Sequence, residues 1–157
     1  PTLRENNLVN LLKENVKLLI ELDNSIKIDL SSNSEKIILN SDKEQISRVF
    51  LNLIKNSIES IVQKHEKIGL FEKKISIEIS ENNDHIKCIL VDNGIGFDQI
   101  KNNIKNIFNP YFTTKKNGTG LGLSIVNKII NDHNGEILFI PILNGAKVEI
   151  NFKINGH

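Results

Sequence analysis

The chain has 157 residues and a net charge of +1, and it is 39% hydrophobic and 25% charged. This balance is typical of one globular domain, and it argues against both a disordered chain and a dedicated nucleic-acid binder. The single cysteine, Cys88, excludes an internal disulfide and fits a reducing compartment. No apolar run approaches the ~20 residues of a membrane-spanning helix. Because methionine is absent even at position 1, we expect a piece of a longer protein.

The first half of the chain alternates between helical and strand patterns. Apolar residues at near-helical spacing predict a helix over 7–22, and strands are predicted over 26–30 and 36–39. Ser41 and Glu44 fit a capping box that opens the longest helix, whose end is marked by Gly69. Two more strands are predicted over 75–79 and 86–91. The second is nearly all apolar, so we expect it at the centre of a sheet.

The second half begins with a break at 92–96. The pattern predicts weak helical character over 97–108, a loop over 109–119, and a helix over 121–133 that Asn134-Gly135 ends. Strands over 136–140 and 146–154 are joined by a turn at 144–145. The predicted fold is α/β, a two-layer sandwich in which a mixed, largely antiparallel sheet of about five strands packs on about three helices.

A pair of asparagines marks the long helix. Asn52 and Asn56 lie one turn apart, on a face that borders the apolar stripe. An asparagine carbonyl is a neutral oxygen ligand that suits Mg²⁺. Two solvated asparagines are the alternative, and an asparagine-rich chain makes it a strong one.

The break at 92–96 reads DNGIG and directly follows the apolar strand. Asp92 would be a carboxylate at the end of a buried strand, able to accept a hydrogen bond from an exocyclic amine such as adenine N6. Gly94 and Gly96 would let a flat base approach the backbone. The alternative is a hairpin turn, although the following residues do not read as a return strand.

Two further motifs could meet phosphate. Residues 109–116 (NPYFTTKK) carry lysines in a loop, which could equally be an ordinary surface loop. Gly118, Gly120 and Gly122 precede a helix whose first N–H groups could bind an anion, and a flexible linker is the alternative. Neither the dinucleotide GxGxxG nor the P-loop GxxxxGK[ST] pattern occurs.

Together, NLIKNSIES, VDNGIGFD, NPYFTTK and GTGLGLSIVNKI resemble the N, G1, F and G2 boxes of the sensor histidine kinase ATP-binding domain. That domain belongs to the ATPase superfamily of gyrase, Hsp90 and MutL. The resemblance covers residues 40–155 and is strongest to the nitrogen-regulation subgroup. It implies one catalytic domain over 1–157, with an N-terminal helix within 1–24 that follows a dimerisation domain absent from the chain.

The resemblance also implies site roles. Asn56 is similar to the Mg²⁺ ligand, Asn52 and Lys55 to phosphate-side residues, Asp92 to the adenine-reading aspartate, and Lys115 to a γ-phosphate contact. Residues 97–119 are implied to be a mobile lid over ATP. Nucleotide contacts are further implied for residues of the glycine-containing boxes and the lid: Gly94, Gly96, Phe112, Thr113, Gly118, Thr119, Gly120, Leu121, Gly122 and Leu123.

The implied activity is transfer of the ATP γ-phosphoryl group to a histidine on the separate dimerisation domain. Asn52 stands where hydrolytic relatives have a water-activating glutamate, which favours transfer over hydrolysis. Implied partners are ATP, Mg²⁺, that dimerisation domain, a downstream response regulator and a second copy in a homodimer, but no nucleic acid. The implied location is the cytoplasm, including the cytoplasmic part of a membrane-anchored sensor.

Some residues depart from the family pattern. Ser57 replaces a usual alanine, and Glu59 and Ser60 stand where many members have lysine and an aromatic residue. His65 lacks the proline of the acceptor pattern, so we expect a solvated helix-end histidine, and His133 is expected to be structural. Two other functions stay open: an anti-sigma-factor serine kinase and a nucleotide-regulated module without enzymatic activity.

Overall fold

The structure, a computed structural model, describes residues 1–96 and 121–154, without the side chain of Leu121. Within these ranges the chain forms three helices and seven strands. In chain order they are β1 (Arg4–Asn7), α1 (Leu8–Leu22), β2 (Lys27–Ser32), β3 (Ile38–Ser41), α2 (Lys43–Ile68), β4 (Lys74–Glu81), β5 (His85–Asp92), α3 (Leu121–Asp132), β6 (Gly135–Ile142) and β7 (Gly145–Lys153). None of these helices is both long enough and apolar enough to cross a membrane.

Five strands form the main sheet, in the order β2-β4-β5-β7-β6. Only the β2–β4 pair is parallel, and the other neighbouring pairs are antiparallel. Along β4 and β5 every second side chain is buried, so one face of the sheet packs on the helices. The predicted α/β fold with a mixed sheet is confirmed, and β5 is central as expected, although its other face is half-buried.

The helices bury their apolar stripes against this face in one continuous core. Asn7 caps the N-terminus of α1, and its side chain accepts a hydrogen bond from the Val9 N–H at 3.1 Å. Asp42 caps the N-terminus of α2, and its carboxylate accepts a hydrogen bond from the Gln45 N–H at 3.1 Å. The predicted Ser41 cap is therefore wrong. Ser41 belongs to β3, and its buried hydroxyl donates to the Leu39 carbonyl instead.

A second sheet has only two strands, β1 and β3, which pair antiparallel. The sequence pattern predicts β3 but predicts neither β1 nor its pairing with β3. The Thr2 N–H reaches the Asp42 carboxylate at 2.9 Å, which ties the start of the chain to the start of α2.

The C-terminal half follows its predicted order. Helix α3 ends at Asp132, and Asn134 takes a left-handed conformation (φ 58°) before Gly135 opens β6. Strand β6 is an edge of the main sheet and contains Pro141. The β6–β7 turn is formed by residues 143–144, one residue earlier than predicted, with Asn144 left-handed. The predicted lid at 97–119 lies outside the described residues.

Candidate functional site

Asp92 is the last residue of β5 and is only 5% exposed. Its Oδ1 accepts a hydrogen bond from the Gly94 N–H at 2.9 Å, and the Ser57 hydroxyl of α2 also donates to the carboxylate. Burial raises the pKa of the Asp92 carboxyl, while these two hydrogen bonds and the positive charge of Lys64 oppose the rise. The result is a buried, oriented hydrogen-bond acceptor.

The glycines after Asp92 are required by packing within the protein. A Cβ on Gly94 would lie 2.5 Å from Ser60 Oγ and 2.7 Å from the Ser60 carbonyl carbon, so the loop lies directly on the backbone of α2. Gly96 has φ 79°, and a Cβ there would meet the Gly145 carbonyl oxygen. At both positions, backbone atoms of the protein occupy the space that a side chain would need. The sequence-based expectation is different, namely that glycine leaves room for a nucleotide base.

Helix α2 carries the predicted phosphate-side residues. Asn52 and Asn56 are half-buried and Lys55 is exposed. Asn52 and Lys55 line an open groove of about 570 Å³ together with Lys43, Glu44, Ser47, Arg48 and Leu51. Asn56 directly precedes Ser57, which contacts Asp92. One rigid helix therefore holds Asn56 and the partner of Asp92 at adjacent positions.

A Mg²⁺ ion could be held here by a single protein oxygen. The described residues contain no group of three or more His, Cys, Asp or Glu side chains placed to hold a metal ion. Mg²⁺ commonly uses one or two protein oxygens and completes its shell with water and substrate phosphates. The Asn56 amide oxygen could serve as such a single protein ligand.

The first turn of α3 carries the remaining described candidates. Among the described residues, no atom of a neighbouring element lies within 4 Å of the position that a Cβ on Gly122 would take. Leu123 is half-buried and packs against the hydrophobic core. The candidates Phe112, Thr113, Lys115, Gly118, Thr119 and Gly120 lie outside the described residues, as does the side chain of Leu121.

The structure corrects the prediction for His65 and supports the one for His133. His65 is half-buried, not solvated: α2 continues beyond it to Ile68, and its Nδ1 is enclosed without a hydrogen-bond partner among the described residues. His133 is buried and structural. Its Nε2 accepts from the Asp42 N–H at 3.1 Å, and its Nδ1 lies 2.7 Å from the Ile129 carbonyl oxygen.

Comparison with known proteins identifies the class that this fold and site define. The family model of histidine kinase-, DNA gyrase B- and HSP90-like ATPases matches residues 41–155. The chain belongs to this family, and it is a nucleotide-binding domain of the histidine kinase type.

The relatives of this chain include histidine kinases. The chain is 34% identical over 158 residues to the NtrY-like sensor histidine kinase of Rickettsia conorii, covering 98% of the chain and 24% of that relative. It is 38% identical over 100 residues to the signal transduction histidine-protein kinase AtoS of Escherichia coli K12, covering 63% of the chain and 15% of AtoS. The chain thus spans a quarter or less of these two relatives.

Solved structures of histidine kinases share the fold of this chain. The catalytic domain of histidine kinase ThkA superposes with a TM-score of 0.82 at 29% identity, covering 96% of this chain and 95% of that domain. ThkA has also been solved in complex with the response regulator TrrA, and that kinase chain matches with a TM-score of 0.76 at 28% identity over 96% of this chain and 41% of ThkA. The predicted family and fold are confirmed.

Proposed function

We propose that this chain is the catalytic domain of a sensor kinase that transfers the γ-phosphoryl group of Mg²⁺-ATP to a histidine on a separate dimerisation domain. The observation that carries the proposal is the buried Asp92 carboxylate, held by Ser57 of α2 at the position next to Asn56. The similarity to the ThkA catalytic domain over nearly the whole chain supports it.

Adenine recognition would depend on Asp92. Its carboxylate already accepts hydrogen bonds from the Gly94 N–H and the Ser57 hydroxyl, and the remaining acceptor capacity would take the adenine N6 amine. Because Asp92 is buried, a base without that donor would leave the carboxylate short of a partner, which is costly. This preference for an amine donor is the physical basis of base selection at the site.

At the phosphate end, Asn56 would contribute an amide oxygen to Mg²⁺, and Asn52 and Lys55 would lie on the phosphate side. Bound Mg²⁺ neutralises charge on the phosphates, which is the main requirement of phosphoryl transfer. Asn52 is an amide and cannot take a proton from water, so this position favours a protein acceptor over hydrolysis. Lys115 is the proposed contact for the γ-phosphate.

The proposed partners follow from the same reaction. The acceptor would be the histidine-bearing domain of a homodimeric parent protein, located in the cytoplasm. By analogy with the ThkA–TrrA complex, a response regulator would then receive the phosphoryl group.

Calorimetric titration with a non-hydrolysable ATP analogue tests the site. We expect binding that Mg²⁺ strengthens, that Asp92→Asn weakens at least tenfold, and that becomes insensitive to Mg²⁺ in Asn56→Ala. Asn10→Ala, an exposed asparagine of α1, is the matched control and should bind as wild type does. A folded wild type that does not bind the analogue would overturn the assignment.

Transfer is tested by adding the parent's histidine-bearing domain in trans with radiolabelled ATP. Acid-labile label on that domain is the expected result, as for phosphohistidine. Acid-stable label on a serine of a partner would instead establish the serine kinase alternative. Binding without transfer would contradict the kinase role and leave a nucleotide-regulated module.

A further inference from the structure

Three polar residues of α2 face the segment 92–96, which we call the base loop. Ser57, Ser60 and Lys64 are spaced three and four residues apart and so lie on one stripe of the helix. Each contacts a different part of the base loop: Ser57 the Asp92 carboxylate, Ser60 the end of the loop, and Lys64 its beginning. The contact of Ser57 belongs to the site described above. The other two residues bond to the backbone of the base loop instead of to the Asp92 carboxylate, on which Lys64 acts only through its charge.

Ser60 holds the end of the base loop. Its Oγ accepts hydrogen bonds from the Ile95 N–H at 2.9 Å and from the Gly96 N–H at 3.4 Å. The Ile95 N–H also lies 3.3 Å from the Ser60 carbonyl oxygen. The same hydroxyl is the atom that a Cβ on Gly94 would meet at 2.5 Å. The loop therefore lies as close to the helix as glycine at 94 and a small hydroxyl residue at 60 allow.

Lys64 holds the beginning of the loop. Its Nζ donates to the Asn93 carbonyl oxygen at 2.8 Å and lies 4.7 Å from the centre of the Phe71 ring. The Asn93 side chain is fixed as well, since its Oδ1 accepts from the Lys74 N–H at 2.9 Å and its Nδ2 donates to the Glu72 carbonyl oxygen at 2.5 Å. The residue after Asp92 is thereby tied both to α2 and to the strand beside β5.

We propose that Ser60 and Lys64 are positioning residues that set the orientation of Asp92 by anchoring the base loop to α2. The proposal rests on the proposed function, in which Asp92 reads the base. A hydrogen bond to a buried acceptor depends strongly on its direction, so an anchored loop selects among bases better than a loose one. Helix α2 also carries Asn56, the proposed Mg²⁺ ligand. Ser60 and Lys64 therefore fix the position of Asp92 relative to Asn56.

The selectivity between ATP and inosine triphosphate measures this positioning, because inosine lacks the exocyclic amine. Calorimetry on wild type should show a preference for ATP. In Ser60→Ala we expect this ratio of affinities to fall about fivefold, the loss associated with one hydrogen bond. Ser60→Thr keeps the hydroxyl and should restore most of the ratio. Ser76→Ala on the exposed side of β4 is the matched serine control.

Lys64→Met keeps the aliphatic part of the side chain and is the second variant. We expect it to lower the ratio of ATP to inosine triphosphate affinities as well, so it tests the positioning role if Ser60→Ala does not fold. Thermal unfolding of every variant establishes that the domain is intact. A wild type that binds both nucleotides equally would contradict base reading by Asp92, and with it the proposed function. A selective wild type whose ratio survives both substitutions would overturn the positioning role alone.

Discussion

Asp92 combines two properties that oppose each other. Its burial suits it to recognise a single amine, yet the same burial makes its ionised form unfavourable in the folded protein. The folded-state pKa is raised above its ordinary value of 3.8, so the stability that this group contributes is fully present below the unfolded pKa. That contribution is lost as pH rises through the folded pKa, and at neutral pH the charge reduces stability.

Asp92→Asn should therefore raise the melting temperature at pH 7.5 while removing adenine recognition. The amide keeps an oxygen for the Gly94 N–H and avoids a buried charge. In a domain of this size each kcal/mol corresponds to about 2–4 °C. Thermal unfolding at pH 5 and pH 7.5 measures the effect, and the difference from wild type should narrow at the lower pH. A variant less stable than wild type at pH 7.5 would contradict the account.

Gly94 and Gly122 make a matched pair for alanine substitution. At Gly94 the added methyl group would press on the backbone of α2, and we expect a loss of about 1–3 kcal/mol. At Gly122 no described atom of a neighbouring element lies within 4 Å of the added methyl group, and alanine is favoured over glycine in helices by about 0.8–1 kcal/mol. Urea unfolding followed by circular dichroism distinguishes them. Equal changes at the two positions would show that the base loop is not packed on α2 as described.

At the scale of elements, regular patterns predicted the long helices and the strands well. The apolar stripe of α2 and the alternation along β4 are local signals, and the structure follows both. The structure also places Asp92 against Ser57, the residue after Asn56, whereas the nucleotide roles of Asp92 and Asn56 stay predictions. Each of these predictions depended on short-range spacing and on the order of motifs.

What the sequence could not predict depends on distant partners. Strand β1 reads RENN, which lacks apolar alternation, and it is a strand only because β3 pairs with it. Asp42 rather than Ser41 caps α2 because Ser41 is already used in that strand pair. The helical spacing of Ser60 and Lys64 was visible, but their partners lie about 30 residues away, in the base loop.

His133 joins the end of α3 to the start of α2. Since the Asp42 N–H donates to Nε2, the ring proton is on Nδ1, which donates to the Ile129 carbonyl. His133→Phe keeps the ring but removes both hydrogen bonds, leaving the Asp42 N–H without this partner. We expect a loss of about 1–3 kcal/mol in urea unfolding.

His85→Phe, at the half-buried start of β5, is the control for changing a histidine into phenylalanine and should have a smaller effect. A loss at His133 no larger than at His85 would argue against a structural link between α3 and α2.

At the scale of the whole molecule, the family match begins at residue 41, but the core does not. Helix α1 lies outside the match and contributes an apolar face of six nearly inaccessible side chains to the common core: Leu8, Val9, Leu11, Leu12, Val16 and Leu19. Leu39 of β3, which also precedes the match, is buried in the same core. The matched segment is thus only part of the folding unit.

We expect the fragment 41–157 to lose cooperative unfolding. Burial of each large aliphatic side chain contributes about 1.5–3 kcal/mol, and six of them together rival the total stability of a typical domain, about 5–15 kcal/mol. Urea unfolding of the fragment beside the 157-residue chain is the measurement. A fragment with the same midpoint and slope as the full chain would show that α1 is dispensable.

Strand β6 forms one edge of the main sheet, and Pro141 lies within it. An edge strand offers a row of outward N–H and carbonyl groups on which another polypeptide can continue the ladder, and proline has no N–H to offer. The register with β7 is kept through Pro141, which pairs with Ala146. A strand from a second copy of the domain would therefore lack one hydrogen-bond donor if it paired with β6. This gap disfavours the edge-to-edge pairing that leads to aggregation.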